Sequence, residues 1–182
     1  MVRLSRDDWL AAGLHLLVEE GVESITLEAA CRRLNVTKGS FYHHFKNMDA
    51  FRSAMLDYWE ANYTTRFIEA SRTAATPEAQ LQHIAAMVID TYGTEEVAVR
   101  AWAQSDPRVR AALHRVDSRR LSFLQELLGT FYPDAAGSMA RTFYAVLLGA
   151  PEMHPPASQE EFAEMYALLM RLHEHLIATN DT

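Results

Sequence analysis

The chain has 182 residues, of which 49% are hydrophobic, and its formal charge at neutral pH is −7. This length and this hydrophobic content are enough for one or two small domains with buried cores. The single cysteine excludes an intramolecular disulfide and fits a reducing compartment. No apolar run reaches the roughly 18 residues of a membrane span, and the N-terminus does not read as a signal peptide. The sequence therefore predicts a soluble, cytoplasmic protein.

The helical patterns begin near the N-terminus. Only 7 glycines and 6 prolines interrupt the chain, and no alternating run typical of a strand stands out, so we expect an all-α fold. Ser5 is a predicted N-cap, with Asp7 and Asp8 in the first turn and a stop at Gly21. This first helix should cover the two short helices that follow it.

Two short helices are predicted on either side of a tight turn. Thr26 is a good N-cap for the first, and Glu28 favours its first turn. Asn35 falls where the chain must turn, and asparagine tolerates a positive φ angle. Thr37 is the predicted cap of the second helix. The pattern is that of a helix-turn-helix, whose second helix can enter the major groove of DNA.

The second of these helices has two different faces. Phe41 and Phe45 are predicted to point inward and to be structural, while the exposed positions are polar or basic. Those exposed positions are Lys38, Ser40, His43 and Lys46.

These segments resemble the N-terminal DNA-binding domain of the TetR family of transcriptional regulators. The similarity lies in Gly21–Thr26 and in ten consecutive positions, Val36–Phe45, and it covers about residues 5–60 in detail. The resemblance implies a homodimer that binds double-stranded DNA and responds to a small molecule. It also implies that a movement of the fourth helix, which joins the DNA-binding domain to the body, transmits the effect of ligand binding. One departure is Met48, because many relatives have a lysine or arginine there to contact a phosphate; Lys46 could take over that contact.

The resemblance and the chemistry of the side chains assign roles to the exposed residues. Lys38 and Ser40, at the start of the second helix, are predicted to contact base edges. Gly39 would let the backbone approach the DNA, and His43 could contact a base, a phosphate or only solvent. Phosphate contacts are predicted for Thr26, Tyr42, His44 and Lys46. Thr37 completes the predicted DNA-binding set.

The basic residues cluster in this part of the sequence. Residues 32–52 hold five basic side chains against Asp49 alone, a local excess of four positive charges that leaves −11 for the remainder. The basic members are Arg32, Arg33, Lys38, Lys46 and Arg52. The sequence therefore predicts a basic patch on an acidic body.

Nine helices are predicted in all, in a DNA-binding domain of residues 1–47 and a ligand-binding and dimerisation domain of residues 48–182. A long fourth helix starts near Met48 and has a break in its apolar stripe at Asn62. Later helices are predicted to begin at Thr76-Pro77, at Ser105-Asp106-Pro107, at Pro133-Asp134 and at the Ser158–Glu161 capping box. The helix that starts at Pro77 is predicted to run to Gly93.

The last two helices carry more apolar surface than one neighbour needs. They could be an ordinary pair of core helices, or two chains could pair them into a symmetric four-helix bundle. We favour the homodimer, because two recognition helices related by symmetry read a palindrome, whereas one reads too few base pairs. The predicted interface consists of Phe143, Leu147, Phe162, Tyr166, Leu169, Leu172 and Leu176.

A ligand pocket in the body is implied by the resemblance to small-molecule-responsive repressors. Its candidate lining residues could equally be plain core, and the sequence leaves both interpretations open. They are Met87, Tyr92, Trp102, Phe123, Phe143 and Tyr144.

An enzyme is disfavoured. The histidine pairs His43-His44 and His173/His175 do not share a helix face, so no metal site or cofactor is expected. No phosphate-binding glycine loop or nucleophile elbow occurs. A helical adaptor that does not bind DNA is the better alternative, but it would leave the exposed polar residues of the second helix unexplained.

Overall fold

The computed structural model describes residues 4–180, which form nine helices and no strand, so the predicted all-α class is confirmed. The first three helices are α1 (Arg6–Glu20), α2 (Leu27–Leu34) and α3 (Lys38–Tyr42). Helix α4 is continuous through Met48–Glu60, a π-helical segment Ala61–Thr65 and Arg66–Ser71. The remaining helices are α5 (Pro77–Asp90), α6 (Thr94–Ser105), α7 (Pro107–Gly129), α8 (Ala136–Gly149) and α9 (Gln159–Asn180). Short 3-10 turns lie at Val22–Ser24 and Ala150–Glu152.

Most helix starts are capped as the sequence predicts. At α1, the Ser5 hydroxyl accepts from the Asp8 backbone N–H while the Asp8 carboxylate accepts from the Ser5 backbone N–H. Thr76 caps α5 through the N–H of Ala79, and Ser158 and Glu161 form the reciprocal capping box of α9. Such bonds satisfy backbone donors that would otherwise have no partner at a helix N-terminus.

Two predicted helix limits are wrong. Helix α8 begins at Ala136 and not at Pro133-Asp134, because the chain first makes a turn in which the Ala135 N–H donates to the Tyr132 carbonyl. Helix α5 ends at Asp90 instead of continuing to Gly93, since the Tyr92 N–H donates three residues back, to the Ile89 carbonyl at 3.2 Å, and Gly93 adopts a positive φ of 136°.

The break in the apolar stripe of α4 coincides with its π-helical segment. The side-chain amide of Asn62 donates to the Tyr58 carbonyl at 2.9 Å, within the turn where the helix widens. A single π turn of this kind inserts an extra residue into the helix and so changes which face the following residues present.

The described helices divide into two compact units by their internal contacts. The first contains the chain up to Thr65 together with Thr94–Val116, and the second contains Arg66–Gly93 and the chain from Asp117 onward. This is a division by packing, whereas the predicted boundary between residues 47 and 48 divides the chain by function and stays a prediction.

The core of the first unit is aromatic and tightly packed. Trp9, Phe41 and Phe51 are completely buried, with the rings of Trp9 and Phe41 meeting edge to face at 5.5 Å. Helix α1 packs closely on α4 at Gly13, where a β-carbon would lie 2.6 Å from Met55 Sδ and 2.7 Å from Phe51 Cζ. A larger residue at position 13 would therefore force the side chains of Met55 and Phe51 to shift.

The second unit has its own core, built from α5, α7, α8 and α9. Phe143 and Phe162 are buried there, and the Tyr92 ring stacks on Phe162 at 4.1 Å. His173 is also buried, with its Nδ1 at 2.9 Å from the hydroxyl of Tyr132. Among the described residues, no helix is long and apolar enough to cross a membrane.

Candidate nucleic-acid interface

Helices α2 and α3 form the predicted helix-turn-helix. The N-cap Thr26 accepts from the Ala29 N–H at 3.2 Å, and α2 ends at Asn35, which adopts the left-handed conformation with φ 53°. The Val36 N–H then returns to the Cys31 carbonyl at 3.0 Å. These bonds turn the chain within three residues, so that α3 leaves α2 at a fixed angle.

The inward face of α3 is fixed by aromatic packing, which confirms the structural role of Phe41 and Phe45. Their rings lie 5.3 Å apart, and the Phe51 ring contacts them at 5.5 and 4.9 Å. Arg6 places its guanidinium 5.2 Å from the centre of the Phe45 ring. A short helix of five residues gains its rigidity from these contacts more than from its own hydrogen bonds.

The predicted DNA-binding residues lie on α3 and on the turn after it, except Thr26, the N-cap of α2, and Thr37, the N-cap of α3. Tyr42 is the most exposed large hydrophobic residue of this surface, at 59%. The residues Thr26, Thr37, Lys38, Gly39, His43 and Lys46 are also exposed, while Ser40 and His44 are partly buried.

The predicted cap Thr37 occupies the N-cap position of α3, but its hydroxyl makes no capping hydrogen bond. The Thr26 hydroxyl does cap α2, and it does so as an acceptor, so its own proton can still be donated to a phosphate. At Gly39, a β-carbon would meet only the Thr37 hydroxyl oxygen at 3.7 Å, which is an ordinary contact.

The predicted basic patch is less positive than its sequence suggests. Arg33 donates two hydrogen bonds to Glu19 at 2.7 and 2.6 Å, and Arg52 turns inward to the Ile25 carbonyl at 3.0 Å. Lys38 is paired with Glu28 of α2. Acidic residues outside the 32–52 window thus neutralise part of the excess, because helices bring distant charges together.

Arg32 and Lys46 make no ion pair in the part of the chain that the structure describes, and both are exposed. Both side chains therefore present to solvent a charge that no carboxylate in the described part of the chain pairs with. Met48 is partly buried against the core of the first unit, and its thioether side chain carries no hydrogen-bond donor for a phosphate.

Glu28 is the residue of this surface that sequence reasoning missed. The sequence pattern indicates only an acid in the first turn of α2, yet the Glu28 carboxylate accepts a hydrogen bond from the Lys38 ammonium across the turn. That bond holds the pKa of Glu28 below its usual value and raises the pKa of Lys38. Only the helix-turn-helix geometry, which places the two helix starts side by side, could have indicated it.

The six residues of the predicted ligand pocket do not fall in one unit. Trp102 is buried in the core of the first unit, while Met87, Tyr92, Phe123, Phe143 and Tyr144 belong to the second. In that second unit, the Tyr144 hydroxyl donates to Asp117 at 2.6 Å and lies 3.4 Å from the Arg120 guanidinium. The lining of a pocket by these residues remains a prediction.

Trp102 lines a different cavity, of about 140 Å³, within the first unit. Its other walls include three arginines and three aspartates: Arg52, Arg108, Arg115, Asp49, Asp57 and Asp106. Arg108 lies 3.7 Å from Asp49 and 3.5 Å from Asp106, so charges of both signs face each other here.

The residues of the predicted dimer interface differ in exposure. Phe143, Phe162 and Tyr166 are buried within the second unit, and Leu147 and Leu169 are partly buried. Leu172 and Leu176 of α9 are 52% and 45% exposed. Leu168, which the prediction did not include, is 51% exposed one turn before Leu172.

Comparison with known proteins finds a family match for the N-terminal part of the chain. Residues 10–55 match the family described as bacterial regulatory proteins, tetR family. The HTH-type transcriptional repressor NemR of Escherichia coli (strain K12) is 37% identical over 65 residues, which is 36% of this chain and 33% of NemR. The match thus spans a third of the length of that relative.

Two solved structures share the fold over nearly the whole chain. SCO4454, a TetR-family transcriptional regulator from Streptomyces coelicolor, has a TM-score of 0.76 and 18% identity, over 96% of this chain and 88% of that one. AibR, crystallised with isovaleryl coenzyme A and operator DNA, has a TM-score of 0.66 and 16% identity, over 88% of this chain and 95% of that one. The N-terminal segment, residues 10–55, thus matches the tetR family of bacterial regulatory proteins, and the chain shares the fold of solved TetR-family regulators.

Proposed function

We propose that the protein is a DNA-binding transcriptional regulator, a repressor that releases its operator when a small ligand binds. The observation that carries this proposal is the construction of α3. Its inward side is locked by Phe41 and Phe45, while its outward side presents hydrogen-bond donors and a 59% exposed tyrosine to solvent. A rigid helix with an exposed polar face, held beside a second helix start, suits insertion into a major groove.

The proposed contacts divide into two classes. Lys38 and Ser40 would read base edges, since lysine donates to guanine O6 or N7 and serine to several bases. Thr26, Tyr42, His44 and Lys46 would contact phosphates, which fix the register without reading sequence. Gly39 would allow close approach of the backbone. Thr37 and His43 complete the DNA-facing set.

We further propose that the regulator is a homodimer paired through α8 and α9. The support is the row of Leu168, Leu172 and Leu176, spaced four residues apart and each about half exposed on one helix. Leucines at this spacing form an apolar stripe, which is stabilised when a second helix covers it. A symmetric pair would present two α3 helices to a palindromic operator.

The ligand is proposed to bind in the body, residues 48–182. The structure of AibR with isovaleryl coenzyme A and operator DNA is one example of the same fold binding a small molecule and an operator. Aromatic residues of the second unit, with the Asp117–Tyr144–Arg120 hydrogen-bond chain among them, offer apolar walls and polar partners. A regulator of this kind must reach the chromosome, so we propose that it is cytoplasmic. We propose no catalytic activity for it.

The alternative is a helical adaptor that does not bind DNA. Selection from a randomised double-stranded library by the purified protein distinguishes the two. A regulator should enrich one palindromic sequence, with half-sites about one helical turn apart. Failure to enrich any sequence at low salt would rule out the regulator and favour the adaptor.

A further inference from the structure

We propose that Glu28 is a specificity-determining residue, which withholds the Lys38 ammonium from phosphates and releases it to a guanine. The proposal rests on the function proposed above, because it needs α3 to meet DNA. Glu28 belongs to none of the predicted DNA contacts, and its role follows from its position opposite Lys38.

The geometry places both groups at the proposed DNA surface. The side chains of Lys38 and Glu28 are 59% and 61% exposed, so the ion pair lies in solvent at the starts of α2 and α3. Thr26, two residues before Glu28, is a proposed phosphate contact, and Ser40, two residues after Lys38, is a proposed base contact. A duplex that reaches these two residues must also reach the pair.

The pair changes what Lys38 contributes to binding. A lysine that neutralises a phosphate releases condensed counterions, and this term is independent of sequence. Lys38 paired with Glu28 has no net charge to offer, so it adds little to binding of arbitrary DNA. A phosphate that drew the ammonium away would leave the Glu28 carboxylate beside a polyanion. Glu28 therefore opposes the non-specific mode.

A guanine facing Lys38 changes this balance. Its O6 and N7 are two acceptors in the fixed geometry of the major groove, and a good contact to them discriminates by about 5- to 150-fold between bases. Those two acceptors can compete with one exposed carboxylate, whereas an adenine or a pyrimidine at that position offers fewer. The operator of this protein should therefore contain a guanine opposite Lys38.

The chain contains a matched control. Glu19 pairs with Arg33 through two hydrogen bonds, and it lies on α1, away from the start of α3. Replacing Glu19 by glutamine removes the same charge from the same domain. It leaves the Lys38 pair intact.

The test compares the wild type, Glu28→Gln, Glu19→Gln, Lys38→Gln and the double variant Glu28→Gln/Lys38→Gln. Each is titrated against the selected operator and against a scrambled duplex by fluorescence anisotropy, over a range of salt. Glu28→Gln should bind the scrambled duplex at least fivefold more tightly and the operator less than twofold more tightly. Its binding to the scrambled duplex should also depend more steeply on salt, by about one counterion.

The double variant shows whether Glu28 acts through Lys38. Without Lys38, loss of the carboxylate should change both affinities by the same factor, because it then only removes repulsion. Glu19→Gln should likewise leave the ratio of the two affinities unchanged. In the free protein, NMR titration should find the Glu28 pKa below its usual value in the wild type and higher in Lys38→Gln, which is a readout independent of DNA.

Several outcomes would overturn the inference. If Glu28→Gln changed the affinities for the operator and for the scrambled duplex by the same factor, Glu28 would be only a surface charge. The same would follow if Glu19→Gln lowered the ratio of operator affinity to scrambled-duplex affinity as much as Glu28→Gln did. With either of these outcomes, a wild type that still bound a selected operator would continue to support the proposed function. A wild type that enriched no DNA at all would remove the proposed function and this inference together.

Discussion

Gly13 of helix α1 lies so close to Met55 of helix α4 that a side chain at position 13 would force Met55 to move. A β-carbon there would lie 2.6 Å from the Met55 sulfur and 2.7 Å from Phe51 Cζ, inside a core where neither side chain is exposed. We expect Gly13→Ala to destabilise the first unit by about 1–3 kcal/mol, since overpacking outweighs the gain in helix propensity. Tryptophan fluorescence during urea unfolding measures this, because all three tryptophans lie in that unit.

Gly39 supplies the matched control and a second prediction. Its β-carbon would contact only the Thr37 hydroxyl oxygen at 3.7 Å, so Gly39→Ala should leave the stability of the free protein unchanged or slightly raised. Operator affinity should nevertheless fall, by about tenfold or more, because the methyl group would separate α3 from the DNA. Unchanged affinity would mean that the backbone at position 39 does not approach the duplex.

His173 makes the stability of the second unit depend on pH. Burial holds the pKa of His173 below its ordinary value of 6.5, against weaker opposing effects of Glu174 and Glu78, while the Tyr132 hydroxyl bonds its Nδ1. Below pH 6.5 the unfolded chain therefore binds this proton more readily than the folded chain. The free energy of unfolding should fall as pH drops from about 6.5 towards the lowered pKa, and then level off.

Thermal unfolding followed by circular dichroism at pH 7.5 and pH 5.5 tests this dependence. The wild type should lose more thermal stability at the lower pH than His173→Gln, which keeps a hydrogen-bonding side chain near Tyr132 but cannot be protonated. His175→Gln, at an exposed position of the same helix, should behave like the wild type. An equal loss in all three proteins would show that His173 is not responsible.

Leu172 tests the proposed pairing of two chains. It is 52% exposed on α9, so Leu172→Glu should leave the fold of the single chain intact and should destabilise a dimer that covers it. Mass measured in solution at micromolar concentration should shift from dimer to monomer, whereas Ala178→Glu, at another exposed position of α9, should stay dimeric. A wild type that was already monomeric would contradict the pairing.

Local features of the fold could be predicted from the sequence because their causes are local. Thr26 and Ser158 cap helices by bonding to backbone groups three residues away, and Asn35 turns the chain through its own tolerance of positive φ. Phe41 and Phe45 could be assigned to the core because they are four residues apart, and the turn that follows α3, in which the Phe45 N–H donates to the Phe41 carbonyl at 3.0 Å, keeps them on the same side. For the caps and the turn, the neighbours that decide the outcome lie within a few residues.

The features that could not be predicted depend on distant parts of the chain. The charge count over residues 32–52 missed Glu19 and Glu28, which α1 and α2 bring to Arg33 and Lys38. The apolar stripes of the last two helices indicated that these faces are buried, but they did not indicate which neighbour buries them. Phe143 is covered by its own chain, whereas Leu172 is not. Periodicity identifies an apolar face, and only tertiary packing shows which part of it remains for a partner.

The base preference of two α3 variants tests the central claim most directly, that this helix reads DNA sequence. Affinities of Lys38→Gln and Tyr42→Phe would be measured by anisotropy for the selected operator and for each single-base substitution within it. We expect Lys38→Gln to lose discrimination at one base pair, by about 5- to 150-fold, and Tyr42→Phe to weaken binding to all duplexes by one common factor. Equal effects of the two substitutions on every duplex would contradict sequence reading by α3.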